Sequence, residues 1–304
     1  MCFKANAKVF VKNSCQLFWW AQQYLRFGTF SPSIRSIKPT ASRVFVLGNG
    51  PSLTKDIAKY TEQLAREDLV MVNQSLTSPL GFELKPRYYV LMDPAYFGTL
   101  PGGDIGKEFA RRVTDFSNVL ERVDWKMKLF VPYHEYKRAQ NKIDRPSNNK
   151  QENVLSCINP NVEILTFNAV ELYTFKHLAR IMYSHNLAVP SGINVLIVAL
   201  SCMIALGYEY IYLLGANSDW HKNLEVDSQN KVFMRDTHFY QDISDETYVP
   251  YTFAFIMQGM TDAFRAYQEL GEVFPQKIIN CSSNSMIDAF PRVNLESILG
   301  GAFL

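Results

Sequence analysis

The sequence has few cysteines, and their spacing matches neither a zinc site nor a disulfide scaffold. Five cysteines are scattered over 304 residues, and no two of them form a C-x-x-C pair. An odd and dispersed set of this kind is typical of proteins in a reducing compartment. We therefore expect an intracellular protein without a cysteine-based metal centre.

Long apolar runs and strong net charge are also missing. No stretch of 18 apolar residues occurs, so the sequence predicts no membrane-spanning helix. The first residues lack the continuous apolar core of a signal peptide, because Lys4, Lys8, Lys12 and Asn13 interrupt it. With a net charge of +2 and no basic stripe, the composition argues against a nucleic-acid partner.

Residues 1–40 differ from the rest and form an N-terminal extension. An aromatic and basic segment over 8–28 places many of its apolar residues on one broad helical face, and Pro32 and Pro39 then mark a linker. Two interpretations stay open for this helix. Either it rests on an anionic membrane surface through residues 1–30, or it packs on the domain or in a homo-oligomer interface.

Residues 41–304 alternate between apolar strands and helices. The alternation predicts one α/β domain with a Rossmann-like, doubly wound and mostly parallel sheet. Helices are expected over 52–68, around 106–123 and over 191–207, and a polar loop over 138–153. Seven strands are expected, in the segments RVFVLG, LVMVNQS, PRYYVLMDP, MKLFVPYH, VEILTF, YIYLLGAN and VFPQKIINCSS.

Polar residues and glycines follow four of the predicted strands, at the point where ligands bind. In a parallel sheet the ligand lies beyond the carboxyl ends of the strands. Asn, Asp and Gly end many strands because they make turns, but four such endings on one edge favour a binding site. The candidates are Gly48, Asn49, Gly50, Asn73, Asp93, Gly215, Ala216 and Asn217.

The GNGPS loop after the first strand lacks the known nucleotide signatures. It has no Walker lysine, and Leu53 stands where the Rossmann fingerprint has its third glycine. Gly48 and Gly50 would let a phosphate approach backbone N–H groups at the start of a helix, whose first position suits Pro51. A phosphate held by backbone without a lysine fits a nucleotide monophosphate sugar or another modest anion.

A long polar and aromatic segment, about 217–250, interrupts the sheet pattern and predicts a lid over the substrate. A histidine suits general base catalysis on a sugar hydroxyl, and a desolvated aspartate could do the same or act as a nucleophile. Each could equally be a surface residue of a loop, and only their clustering beside a strand end favours catalysis. The candidates are His221, Lys222, His238 and Asp242, whose spacing predicts no metal site.

The order of these motifs resembles that of the bacterial sialyltransferases of glycosyltransferase family 42, which use CMP-activated sialic acid. The family's GNGPSL occurs whole at 48–53, and Asn73-Gln74 matches the pair after its second strand. The segment ALGYEYIYLLGAN over 205–217 is similar to the strand before its lid. The resemblance covers about 43–290.

The chain departs from the family pattern at several points. Asp93-Pro94 stands in place of Asn-Pro, Pro190-Ser191-Gly192 in place of Thr-Ser-Gly, and the family's catalytic histidine aligns near Asp242. The lid tyrosines that help the phosphate leave have no clear counterparts, so His221 and Lys222 could neutralise it instead. An aspartate at the base position leaves open a retaining mechanism and another sugar acid such as Kdo.

The resemblance implies a GT-A-variant fold and a metal-independent transferase without a cofactor. Such an enzyme moves a sialic acid or Kdo-like sugar from its CMP-activated donor to a surface glycan or glycolipid, in lipopolysaccharide or capsule biosynthesis. It would work in the cytoplasm or on the inner face of the bacterial plasma membrane. The implied roles are nucleotide binding by Gly48, Asn49, Gly50, Pro51, Ser52, Asn73, Gly215, Ala216 and Asn217, donor-sugar binding by Asp93, Ser191 and Gly192, and catalysis by His238, Asp242, His221 and Lys222.

Two other functions stay open. The GxGPSL loop and the strand over 85–94 also resemble an archaeal-type pterin diphosphokinase-like family, which implies binding of ATP with Mg²⁺. The third is a non-catalytic nucleotide-binding protein that is attached to a membrane by its N-terminal segment.

Overall fold

The computed structural model describes residues 2–99, 103–143, 153–156, 159–235, 246–249 and 251–300. The helices in these ranges are α1 (Cys2–Phe27), α2 (Leu53–Ile57), α3 (Thr61–Leu64), α4 (Pro79–Leu84), α5 (Gly103–Glu121), α6 (Tyr133–Ile143), α7 (Lys176–Ser184), α8 (Val195–Leu206), α9 (Phe253–Val273) and α10 (Leu295–Leu299). The strands are β1 (Arg43–Leu47), β2 (Leu69–Val72), β3 (Tyr88–Val90), β4 (Met127–Pro132), β5 (Val162–Phe167), β6 (Tyr210–Leu214), β7 (Leu224–Val226), β8 (Val232–Arg235), β9 (Glu246–Val249) and β10 (Ile278–Asn280).

Strands β1 to β6 and β10 form one parallel sheet, in the spatial order β10-β6-β1-β2-β3-β4-β5. The chain builds outward from β1 to β5, then returns to the other side of β1 with β6 and β10. The direction of building reverses between β1 and β6, and ligands of open α/β sheets bind at such a switch point. The Rossmann-like, doubly wound sheet and its seven predicted strands are confirmed.

Alternating side chains of β1 face two separate cores. Val44 and Val46 belong to one core, Phe45 and Leu47 to the other, and all four are fully buried. Successive side chains of a strand point to opposite faces, so an uninterrupted apolar strand is one that is covered on both sides. Helices α7, α8 and α9 cover the first face, and α2 to α6 with α10 cover the second.

Helix α8 is buried almost all round, which explains its nearly unbroken apolar sequence. The side-chain oxygen of Asn194 caps its start by accepting a hydrogen bond from the Leu196 N–H at 2.8 Å. Gly207 ends the helix in the left-handed conformation, with φ of +95°. The end agrees with the helix expected over 191–207, whereas the start lies at Val195, four residues later than expected.

The N-terminal helix α1 packs on the domain along one side. Trp20 Nε1 donates to the Leu187 carbonyl at 3.2 Å, and Tyr24 is buried. Ile34, in the segment expected to be a linker, is also fully buried and joins the core on the α8 side. The segment after α1 is therefore attached to the domain. No helix in the described ranges is long and apolar enough to cross a membrane.

Two expected elements differ in length. The helix expected over 52–68 is divided into α2 and α3 at Tyr60, whose φ of −125° lies outside the helical range. The Thr61 hydroxyl donates to the Ile57 carbonyl at 3.2 Å across this break. Helix α6 extends to Ile143, into the segment expected to be a polar loop, because Ala139 on its inner side packs against the sheet core.

The segment expected to be a lid contains an antiparallel sheet of β7, β8 and β9. The β7–β8 turn is held by Asp227 Oδ1, which accepts hydrogen bonds from the N–H groups of Gln229 and Lys231, both at 2.8 Å. Asn230 in this turn has a φ of +59°. His238 and Asp242, the candidate bases, lie outside the described residues.

Candidate active site

A cavity of about 410 Å³ lies beyond the carboxyl ends of β1, β2, β3 and β6, at the switch point of the sheet. Its volume is that of a typical small-molecule site. Polar and apolar side chains contribute to its wall. The lining residues include Asn49, Gly50, Pro51, Asn73, Gln74, Asp93, Arg112, Ile193, Asn194, Val195, Gly215, Ala216, Asn217, Asp219, Trp220 and Ile256.

The loops after β1 and β6 are bonded to each other. The N–H of Gly48 donates to the Leu214 carbonyl and the N–H of Gly50 to the Gly215 carbonyl, both at 2.8 Å. These amides are therefore not available to a phosphate, and α2 has only five residues. A phosphate would therefore have to meet other N–H groups of the loop, and nucleotide binding by this loop stays a prediction; the loop does form part of the cavity wall.

The glycines are required by the close packing of the two loops. A Cβ on Gly50 would lie 2.1 Å from Asn217 Oδ1 and 2.5 Å from the Gly215 carbonyl oxygen, and a Cβ on Gly48 would lie 2.6 Å from that same oxygen. Gly215 itself has a φ of +61°. Asn217 completes the contact, because its Oδ1 accepts a hydrogen bond from the Ser52 hydroxyl at 2.9 Å.

Three buried amide atoms in the cavity wall have no hydrogen-bond partner among the described residues. They are Asn73 Oδ1, Gln74 Oε1 and Asn217 Nδ2. Two of these residues are held by neighbouring atoms: Gln74 Nε2 donates to the Arg112 carbonyl at 2.7 Å, and the backbone carbonyl of Asn73 accepts from the Tyr89 hydroxyl at 2.5 Å. Native proteins rarely leave buried polar atoms unbonded, so this wall is suited to a ligand with both donors and acceptors.

Charged groups of both signs line the same cavity. Burial raises the pKa of Asp93, while the hydrogen bond from the Ala95 N–H to its Oδ1 and the charge of Arg112 oppose the rise. Asp219 is a second carboxylate in the wall, and Arg112 is a guanidinium contributed by α5. Sequence reasoning missed Arg112, since it lies in the middle of an amphipathic helix and follows no strand.

Ser191 and Gly192 lie beside the cavity and do not line it. The Ser191 hydroxyl and the Gly192 N–H both donate to Glu171 Oε1, at 3.0 and 2.7 Å. The next residues, Ile193 and Asn194, are part of the wall, as is the first turn of α8. Glu171, which no strand-end pattern indicates, therefore holds the loop that leads into this wall.

His221 and Lys222 are exposed and do not line the cavity. Lys222 Nζ lies 3.4 Å from Oδ2 of Asp219, and Trp220 between these residues contributes its side chain to the wall. Besides Asn217, the lid segment thus reaches the cavity through Asp219 and Trp220, which were not among the candidates. Within the described ranges, no group of three or more His, Cys, Asp and Glu side chains could hold a metal ion.

No family model matches the chain, and no curated protein matches it by sequence. Two solved structures are similar over most of it. One is the MAf glycosyltransferase from Magnetospirillum magneticum AMB-1, with 14% identity, a TM-score of 0.44 and coverage of 86% of this chain and 34% of that chain. The chain thus spans about a third of that protein's length.

The other is a mammalian sialyltransferase in complex with Gal-beta-1-3GalNAc-ortho-nitrophenol, with 14% identity, a TM-score of 0.38 and coverage of 90% of this chain and 86% of that one. Likenesses of this size carry no argument about activity, so a function must be sought in the residues of the cavity.

Proposed function

We propose that the protein is a glycosyltransferase that takes a sugar acid, of the sialic acid or Kdo type, from a CMP-activated donor. The sugar passes to a hydroxyl of a glycan or glycolipid. The observation that carries the proposal is the set of three buried amide atoms, on Asn73, Gln74 and Asn217, that lack partners in the described part of the chain. A pyrimidine base and a ribose offer the donors and acceptors that would complete them.

The positive charge for the donor phosphate comes from Arg112. A guanidinium binds phosphate or carboxylate through two parallel N–H groups, and this one shares the cavity with the amide wall. The positive end of the α8 dipole reaches the same space at Val195. Together they take the role first given to the glycine loop and to His221 and Lys222.

The sugar lies on the side of Asp93 in this proposal. Its carboxylate retains one oxygen that can accept hydrogen bonds from sugar hydroxyls, while the other accepts from the Ala95 N–H. Ser191 and Gly192 act indirectly, because their polar groups are engaged by Glu171. They hold the Ile193–Asn194 wall in place.

In the transfer, the acceptor oxygen forms a bond to the anomeric carbon of the sugar acid. The bond from that carbon to the phosphate oxygen breaks, and its electron pair leaves on CMP. The acceptor proton passes to a base, for which His238 and Asp242 stay the candidates. A single leaving phosphate needs only cationic side chains and dipoles to stabilise it, so we expect the reaction to proceed without a metal or cofactor.

The test measures ligand binding by thermal shift and calorimetry, using CMP, CDP, UDP, GDP and ATP, each with and without Mg²⁺. We expect selective binding of CMP, unchanged by EDTA, and CMP release from a CMP-sugar acid. Asn73→Gly should weaken CMP binding about fivefold to tenfold, since one hydrogen bond contributes roughly 1 kcal/mol. Asn73 has a φ of +49°, so glycine removes the amide without straining the backbone.

Asn230→Gly is the matched control. Asn230 has a φ of +59°, is exposed in the β7–β8 turn and lies outside the cavity wall, so its variant should bind CMP as the original chain does. Stabilisation by Mg-ATP alone would replace the proposal with the diphosphokinase. Binding of CMP without release of CMP from any CMP-sugar would favour the non-catalytic protein. An equal loss of CMP affinity in Asn73→Gly and Asn230→Gly would show that the Asn73 amide does not contact the nucleotide.

A further inference from the structure

The outer side of α1 is an exposed apolar stripe. Val11, Phe18 and Leu25 are spaced seven residues apart, which is close to two helical turns, so they lie nearly in one line. Phe18 is 68% exposed and Leu25 80% exposed. The inner side of the same helix packs on the domain through Trp20 and Tyr24. The stripe is therefore not needed to attach the helix.

Further exposed apolar residues lie around this line. Phe10 and Trp19 flank it on either side, Val9 lies on the opposite side of the helix, Phe30 follows the end of the helix, and all four are more than half exposed. A patch of this composition on a surface helix indicates a contact with a partner or a membrane.

The charge around the stripe has one sign. Residues 1–55 contain eight Lys and Arg and no Asp or Glu, and the first acidic residue of the chain is Asp56. The whole chain has 31 basic and 29 acidic residues, so the remaining part holds 23 basic and 29 acidic ones. The side chains of Lys8, Lys12, Arg26 and Arg35 are exposed beside the stripe or just after the helix.

We propose that this face of α1 binds the surface of a bilayer that contains anionic lipids. The apolar stripe would enter the boundary between headgroups and acyl chains, and the exposed cations would lie among the anionic headgroups. The 26-residue helix would lie in the plane of the membrane, with a length of about 39 Å at 1.5 Å per residue. The inference does not depend on the proposed activity.

Charge decides between a bilayer and a second copy of the chain. In a two-fold dimer the same patch meets itself. Residues 1–55 offer no carboxylate to pair with the cations, so two copies would bring like charges together, which is unfavourable at an interface. An anionic lipid surface complements both the apolar and the basic parts of this face.

The test is cosedimentation of the full chain with sucrose-loaded vesicles of phosphatidylcholine, with or without 30% phosphatidylglycerol, in about 50 mM and 500 mM salt. We expect binding to the anionic vesicles that falls at high salt. Lys8→Gln with Lys12→Gln should weaken partitioning about 30-fold, because each surface cation contributes roughly a fivefold factor. Phe18→Ser with Leu25→Ser should weaken it at least about tenfold.

Lys59→Gln with Arg66→Gln makes the same charge change at exposed positions outside the extension and should leave partitioning unchanged. Quenching of the chain's tryptophan fluorescence by brominated lipids gives a second measurement that does not need a variant, since Trp19 on α1 is 51% exposed. Equal binding to vesicles with and without phosphatidylglycerol would overturn the proposal. The proposal would also be overturned if the chain binds no vesicles, forms a dimer in light scattering, and becomes a monomer in the variant with Phe18→Ser and Leu25→Ser.

Discussion

Replacing Gly50 with alanine tests whether the two glycine loops form the rigid wall of the cavity. The added Cβ would lie 2.1 Å from Asn217 Oδ1 and 2.5 Å from the Gly215 carbonyl oxygen. Gly50 has no positive φ, so the backbone conformation itself tolerates alanine. The loss of stability therefore comes only from the steric clash of the added Cβ, which the two loops can relieve only by moving apart.

The magnitude follows from what separation breaks. Overpacking of a filled site costs roughly 1–3 kcal/mol. The Gly50 N–H bond to Gly215 and the Ser52 hydroxyl bond to Asn217 contribute about 0.5–1.5 kcal/mol each. We expect a loss of about 2–6 kcal/mol, and thus a fall in Tm of about 4–12 °C at roughly 2 °C per kcal/mol for a chain of this size.

The assay is thermal unfolding by circular dichroism, followed by titration with CMP. Gly259→Ala is the control and should not lower the stability. Gly259 lies inside α9, and its added Cβ would meet only the flexible end of the Ile193 side chain at 3.2 Å. In a helix, alanine is more favourable than glycine by up to about 1 kcal/mol. Gly50→Ala with Asn217→Ala should not recover stability, because the Gly215 carbonyl stays in the way. A Tm within about 1 °C of the original chain for Gly50→Ala, or full rescue by the second change, would refute the reasoning.

Three further predictions concern groups beside the cavity and the thiols. Glu171→Ala should lower the free energy of unfolding in urea by about 1–3 kcal/mol, because the Gly192 N–H and the Ser191 hydroxyl lose their acceptor. Glu171→Gln keeps an acceptor oxygen and should cost less. Equal costs for the two variants would show that this oxygen is unimportant. Because burial raises the pKa of Asp93, the folded protein favours its protonated form. The stabilisation from this carboxyl is complete below its pKa in the unfolded chain and is lost as pH rises through its pKa in the folded protein. Asp93→Asn should therefore gain stability relative to the original chain between pH 4 and pH 7 in urea unfolding, and a constant difference would contradict the burial of this carboxyl. In a variant with Cys2→Ser and Cys157→Ser, a thiol reagent should react with Cys15 alone in the folded protein. The other two thiols are buried, which raises the pKa of Cys281 to about 12 and the pKa of Cys202 further. Rapid reaction of two thiols would show that one buried cysteine is accessible.

The sheet was predictable because its signal is local. Each strand is a short apolar run bounded by polar residues, and burial on both faces makes such runs nearly continuous. The rules for doubly wound sheets predict a parallel sheet with a reversal of strand order, but not that the reversal comes after β5. The β7–β9 sheet was missed because its strands have only three or four residues each in a mostly polar segment. The division between α2 and α3 lies at Tyr60, whose non-helical conformation propensity does not reveal.

The position of the cavity was predictable from strand ends, but the use of its residues was not. Strand ends indicated Asn73, Asp93 and Asn217, and all three line the cavity. The glycines, however, serve loop-to-loop packing, and this depends on a partner loop far away in the sequence. Arg112 is brought to the site by the docking of a whole helix. Such a contribution depends on tertiary packing and leaves no local pattern.

The bond between the two loops has a consequence for how the chain matures on the ribosome. Ser52 and Asn217 are 165 residues apart, so at roughly 5–20 residues per second the first loop waits about 8 to 33 seconds for its partner. During that time the edge of β1 that later pairs with β6 is open. A nascent chain that stops short of β6 carries the glycine loop but no cavity, and ligand binding therefore reports on completed synthesis and pairing of the central strands.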